Sequence, residues 1–149
     1  VDLFTDFEMF CMLDKNTPDG IIHIIEHMLS KERYDPNSTS IRLPSHLLFK
    51  TSHWDEMLVG EFTIISQEEY NKSSLTKTSS EYVLLINTCL INDDKEIELF
   101  LSFITPYVIN TGLCGWMQRE DQVKPILIFH ENGQFRLQQI IETNETIIE

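Results

Sequence analysis

The stretch that most constrains this chain is Tyr82-Val83-Leu84-Leu85-Ile86-Asn87-Thr88-Cys89-Leu90-Ile91, a nearly unbroken apolar run of strand-forming residues. Such a run leaves no polar face for water and reads as a buried central strand. Directly after it, Asn92, Asp93 and Asp94 offer three candidate N-caps, and Ile97, Phe100, Leu101, Ile104 and Val108 recur at helical spacing. Thr105-Pro106 kinks or ends that helix. A buried strand feeding an amphipathic helix requires a sheet for the strand to join, so the chain is globular and layered.

The remaining segments supply that sheet. Gly112 to Arg119 reads as a strand. Ile126 to Phe129 and Phe135 to Ile140 flank His130-Glu131-Asn132-Gly133, where Asn-Gly is a strong hairpin signal. Met57 to Ile65 has strand composition, and Ser40 to Leu43 fits a short strand. A helical turn is expected around Leu47. Ser66 to Ser80 is polar, rich in Ser and Thr and without period, which predicts a loop. Nearer the N-terminus, Thr17, Pro18 and Asp19 form a helix start, and Ile21, Ile24, Ile25, Met28 and Leu29 an apolar stripe, predicting a helix from Pro18 to Arg33. Leu3, Phe4, Phe7, Phe10 and Cys11 also fall at helical spacing, so Val1 to Leu13 is expected to be helical, although Phe, Met and Cys suit a strand as well. Strands grouped apart from helices give an α+β class: a largely antiparallel or mixed sheet of about five to six strands, with two to three helices packed on one face. The 149 residues fit a single domain.

Charge narrows the partners. With 24 Asp and Glu against 11 Lys and Arg, the formal net charge is −13. That balance disfavours direct binding to a nucleic-acid backbone or an anionic membrane, and suits a basic macromolecule. No apolar run reaches the ~18 residues of a membrane span. Val1 to Phe10 carries Asp2, Asp6 and Glu8 without a basic region, so no secretory signal is expected there and the expected location is cytoplasmic. Cys11, Cys89 and Cys114 are odd in number and have apolar neighbours, as reduced core or near-core thiols do. None sits at a helix start or in a basic setting that would lower its pKa.

One motif suggests catalysis. His23-Ile24-Ile25-Glu26-His27 spells the H-x-x-E-H zinc signature, two histidines one helical turn apart with Glu26 as general base. Its residues also fall on the polar side left when Ile21, Ile24, Ile25, Met28 and Leu29 turn inward, and a third ligand is required that only an unmarked carboxylate such as Glu98 supplies. The solvated-face reading is the stronger, so no metal, cofactor or catalytic residue is assigned. A small metal-dependent hydrolase using His23, Glu26 and His27 stands as the alternative. Glu68-Glu69 and Asp93-Asp94 read as loop and cap residues, Trp54 as a core or interface anchor, and Glu120-Asp121 as a solvated turn.

Several segments together carry a family resemblance. They are Trp54-Asp55-Glu56-Met57-Leu58-Val59-Gly60-Glu61, then Thr88-Cys89-Leu90-Ile91-Asn92, and a helix with Glu96-Ile97-Glu98 and Phe100 ending Thr105-Pro106-Tyr107. Gly115-Trp116-Met117-Gln118-Arg119-Glu120 follows, with Gln118 where the pattern has an aromatic, and then Lys124-Pro125-Ile126-Leu127-Ile128. Over the last two thirds of its length the chain resembles small bacterial immunity proteins of polymorphic and contact-dependent growth-inhibition toxin systems. The resemblance implies a cytosolic, non-enzymatic antidote that binds the C-terminal toxin domain, a nuclease by the charge argument. Asp93, Asp94, Glu96 and Glu98 at the helix start, with Glu120 and Asp121 after the Trp116 strand, are the candidate toxin-binding residues, expected to face solvent.

Overall fold

The segment expected to be helical over Val1–Leu13 is a strand: β1 spans Phe4–Asp14 in the computed structural model, which describes residues 3–38, 40–60 and 72–140. Thr5, Phe7, Met9, Cys11 and Leu13 are buried, whereas Asp6, Phe10 and Asp14 are exposed. The burial follows a period of two, and the helical spacing of Leu3, Phe4, Phe7, Phe10 and Cys11 mixes residues from both faces. Long-range pairing overrides the local pattern. Every residue from Phe4 to Asp14 has a partner on one neighbouring strand, and Thr5 to Met9 are also paired on the other side.

Around β1 the sheet is built from β2 (Ser74–Lys77), β3 (Glu81–Ile91), β4 (Gly112–Arg119), β5 (Ile126–Glu131) and β6 (Gln134–Gln139). The order is β2-β3-β1-β4-β5-β6, and all pairs are antiparallel. This is the expected α+β class. The β5–β6 connection is the two-residue turn that Asn132-Gly133 predicts. Both residues have positive φ, 53° and 73°, as a type I′ turn requires.

Helix α1 (Asp19–Leu29) and helix α2 (Glu96–Ile104) cover one face of the sheet. Ile22, Ile24, Ile25 and Met28 from α1, and Ile97, Phe100, Leu101, Phe103 and Ile104 from α2, join Phe7, Met9, Cys11, Leu13, Leu84 and Ile86 in one buried cluster. Helix α1 is shorter than the expected Pro18–Arg33. Ser30 ends it, with its hydroxyl donating to His27 O (2.6 Å), and Lys31 takes a left-handed φ of 67°. Pro18 occupies the N-cap, and Thr17 donates its hydroxyl to Asp14 O instead of capping.

From the end of α1 to Gly60 the described residues pack by aromatic contacts rather than by a strand. Residues 40–46 form no regular element, so the expected strand over Ser40–Leu43 is absent, although Ile41 and Leu43 lie against the core. Short 3₁₀ turns cover Leu47–Lys50, where the helical turn is expected, and Trp54–Glu56. Phe49 meets Trp54 and Phe103 edge-on at 4.9 and 5.1 Å, and Trp54 is buried among His27, Tyr34 and Phe49. Asp55 is buried beneath this cluster, where it accepts the Tyr34 N–H at 2.6 Å and faces Arg33 Nε at 3.6 Å. Met57–Val59 is a turn, not the start of the strand expected over Met57–Ile65, whose residues 61–65 lie outside the described residues. Likewise the loop expected over Ser66–Ser80 contains β2, a polar edge strand whose alternation is too weak to signal; residues 66–71, Glu68 and Glu69 included, lie outside the described residues.

At Gly115, which pairs with Met9, the β1 backbone comes close. A Cβ there would fall inside the contact shell of Glu8 O and within 2.7 Å of Met9 Cα. Gly115→Ala is therefore expected to destabilise the fold by about 3 kcal/mol, because backbone of β1 must move. Gly20→Ala, in helix α1 with no atom within 4 Å of the added carbon, is expected to stabilise by about 0.5 kcal/mol. Urea unfolding of the two variants checks both signs, and a neutral Gly115→Ala would contradict the β1–β4 packing.

Candidate functional site

Because the strands alternate, burying Thr5, Phe7, Met9, Cys11 and Leu13 sends the other side chains of β1 to the opposite face, away from the helices. That open face carries Phe10, Leu85 and Leu113 at 42%, 44% and 61% exposure. Trp116, register partner of Glu8, is half-buried there. Leu113 lies beside Phe129, over whose ring the Arg136 guanidinium sits at 4.4 Å while pairing with Glu131. A shallow groove of about 430 Å³ runs between β3, β1 and β4, lined by Glu8, Phe10, Lys72, Leu85, Cys114 and Trp116 among others. A contiguous apolar strip with polar edges on a rigid sheet is the usual form of a protein-binding surface.

Carboxylates gather at the end of the sheet where β1 starts and β4 stops. Asp6 is the register partner of Cys89, and Glu120 donates its backbone N–H to Phe4 O at 2.8 Å. Burial, then the Asp6 and Glu120 charges, push the Cys89 thiol up to about 11, which places both carboxylates beside it. Glu120 and Asp121 form an exposed turn, as expected.

The helix-start candidates divide. Asp94 is exposed and Glu98 half-buried, but Glu96 is buried and the Asp93 side chain is 1% exposed. The expectation that all four face solvent is corrected for Asp93 and Glu96. The reason is local geometry: Lys95, with a left-handed φ of 70°, occupies the N-cap without a side-chain cap bond, and the Glu96 carboxylate turns back to accept the Asp94 N–H. Arg119, at the end of β4, reaches across to Asp93 Oδ2 and Glu98 Oε1, each at 3.4 Å. Asp93, Glu96, Glu98 and Arg119 thus form one network, with Asp94, Glu120 and Asp121 outside it. Loss of solvent, then the Glu96 carboxyl and the Glu98 charge, push the Asp93 carboxyl up, while Arg119 opposes them.

The His23, Glu26, His27 motif is not assembled as a site. His23 and Glu26 are exposed, whereas the His27 ring packs at 6.3 and 6.2 Å from the Tyr34 and Trp54 rings. Glu98, the candidate third ligand, is held by Arg119. Among the described residues no three His, Cys, Asp or Glu side chains converge to hold a metal ion. No helix among the described residues is long and apolar enough to cross a membrane. No family model, curated protein or solved structure matches the chain.

The buried Asp93 makes stability depend on pH in a stated direction. The folded chain holds this carboxyl at about 7 against an ordinary 3.8, so folding takes up a proton. Its contribution is full below the ordinary value and is lost as pH rises towards 7. Asp93→Asn removes the titration. The melting temperature of Asp93→Asn minus that of the unsubstituted chain is expected to increase by about 4 °C or more between pH 4 and pH 8. Differential scanning calorimetry across that range checks it, and an offset independent of pH would place Asp93 in water.

Proposed function

We propose that this protein is a stoichiometric inhibitor of the bacterial immunity-protein kind, which binds a basic toxin domain of nuclease type and blocks it without turnover. The observation that carries the reading is the open sheet face: exposed apolar side chains on central strands, continuous with a corner of exposed carboxylates. Phe10, Leu85, Leu113 and Trp116 provide apolar area that a partner would desolvate, which is where affinity concentrates. Asp6 and Glu120 provide charge at the end of that face, and Asp94 and Asp121 are further exposed carboxylates; such charge acts on encounter rate and orientation. A nuclease presents cationic groups to a polyanionic substrate, so an acidic surface matches its substrate groove. The family resemblance in the last two thirds of the sequence supports the same reading. Three free cysteines, all reduced, suit the cytosol of the cell that receives the toxin.

Of the six candidate residues, the burial pattern favours Asp94, Glu120 and Asp121 as direct contacts. Asp93 and Glu96 hold the helix start in place, and Glu98 is shared with Arg119.

If the neighbouring gene encodes a large secreted protein with a variable C-terminal domain, the test is titration with a catalytically inactive form of that domain, by calorimetry and stopped-flow at two ionic strengths. A one-to-one complex is expected. Trp116→Ala should weaken it by roughly 30-fold, mainly through faster dissociation. The Glu120→Lys, Asp121→Lys double variant should slow association by roughly 10-fold at low salt and less at high salt. No complex would overturn the immunity reading; a complex indifferent to both variants would overturn the interface.

A further inference from the structure

Two strands close the described sheet, β2 at one edge and β6 at the other. An edge strand presents unpaired N–H and C=O groups, and proteins blunt such edges with short length, lysines, prolines or bulges. β2 is blunted in this way: it has four residues, Ser74-Leu75-Thr76-Lys77, and ends on a lysine. β6 is not. Its six residues run in unbroken register with β5, include no proline or lysine, and carry a single charge, that of Arg136. The Arg136 guanidinium sits over Phe129 and pairs with Glu131, so it is turned toward β5 and leaves the edge clear. Among the described residues no strand lies beyond β6.

The hairpin turn fixes which groups face outward. In a two-residue hairpin the flanking residues, here Glu131 and Gln134, form a hydrogen-bonded pair, and bonded and non-bonded pairs alternate from there. Phe129↔Arg136 and Leu127↔Gln138 are then bonded pairs, and Phe135, Leu137 and Gln139 direct their N–H and C=O groups away from β5. Their side chains lie on the helix side, opposite the buried His130, Ile128 and Ile126. On that side a groove of about 410 Å³ separates β6 from the helical layer. Phe135 and Leu137 line it from the strand, and Leu101, Thr105 and Pro106 from α2 and the turn after it. Leu137 is 39% exposed. Outward backbone groups with apolar side chains at alternate positions are what an added strand requires.

We propose that a second copy of this chain supplies that strand, with β6 pairing antiparallel to β6 of the copy about a two-fold axis at Leu137. The sequence selects this register. A centre at Leu137 matches Gln134 to Ile140 with itself, setting Phe135 opposite Gln139, Arg136 opposite Gln138, and the two Leu137 side chains together. A centre at Arg136 would oppose two guanidinium groups, which is unfavourable. A centre at Gln138 would leave Phe135 without a partner inside β6. Gln138 already accepts from Arg136 Nη1 at 2.6 Å within the chain, so the same amide can serve the facing strand. Charge selects this edge. A chain of net −13 repels its own kind where carboxylates meet, but Asn132 to Ile140 contains none. Glu98 in the groove and Glu131 on β5 are held by Arg119 and Arg136. The repulsion left between the remaining carboxylates is screened by salt, so pairing strengthens as salt rises, opposite to the dependence expected for a basic partner. Edge pairing extends the sheet in its own plane and leaves the open face free. The inference rests on the fold and not on the immunity reading.

Sedimentation equilibrium of the full chain, up to about 200 µM and at two salt concentrations, reads the association. A dimer is expected, tighter by roughly 3-fold at the higher salt. Leu137→Lys places a lysine on the edge and should weaken the dimer by roughly 10-fold or more, with cooperative melting retained. The unsubstituted chain gives an independent reading by amide hydrogen exchange. Phe135, Leu137 and Gln139 should exchange roughly 10-fold more slowly in concentrated than in dilute protein, while Arg136 and Gln138, already bonded to β5, change little. That comparison holds even if the variant fails to fold. A chain that stays monomeric, a dimer that survives Leu137→Lys, or protection elsewhere in place of these three amides would each overturn the pairing, whatever a toxin titration shows.

Discussion

Full-length pairing of β1 with β3, eleven residues in register, is the constraint on which the other parts of this structure rest. It fixes which side of the N-terminal strand is which. One set of side chains, from Thr5 to Leu13, meets both helices, and the alternate set from Phe4 to Asp14 is turned away from them. A slip of one residue would exchange the faces and put Asp6, Glu8 and Asp14 into the core, at a cost no local preference could offset. β4 then docks on the free edge of β1 at the one place where a glycine permits close approach, Gly115 beside Glu8 and Met9. The open face and its groove follow from that docking.

Charge is arranged around the same frame. A chain carrying a net −13 repels itself, and the fold places its few cations where buried carboxylates need them. Arg119 serves Asp93 and Glu98, while Arg33 serves Asp55 and Glu56, the latter at 2.8 Å. Removing either arginine would strand a carboxylate in a poorly solvated place, which is costlier than losing an exposed pair. The carboxylates left over include Asp6 on the open face, Glu120 beside the start of β1, and the exposed Asp94 and Asp121. They are the part of the charge that remains available to a partner.

Much of the architecture was legible in the sequence because its signals are local. The Asn132-Gly133 turn, the β4 boundaries and the Ile97–Ile104 stripe each come from chemistry within a few residues. β1 is not legible locally, because its aromatic and sulfur-bearing side chains satisfy a period near 3.6 and a period of two at once, and only its partners on β3 decide between them. The apolar run of β3 implies cover on both sides, yet only Tyr82, Leu84, Ile86, Thr88 and Leu90 are buried, with Leu85 left on the open face. Its apolar outer side is therefore a surface feature that hydropathy alone assigns to the interior. The site was less legible. Exposure of Asp94, Glu120 and Asp121 followed from ordinary carboxylate preference, but the burial of Asp93 and Glu96 depends on Arg119 and on a left-handed Lys95.

The central claim is that the face of the sheet turned away from the helices is where a partner binds. Hydroxyl-radical footprinting of the chain alone and in the presence of the proposed basic toxin domain tests this claim side chain by side chain. Phe10, Leu85, Leu113 and Trp116 should lose most of their reactivity in the complex, while the exposed His23 on α1 and Leu47 on the helical layer keep theirs. Protection confined to α1, Leu47 and the turns around Trp54, with Phe10 and Trp116 still reactive, would contradict the account.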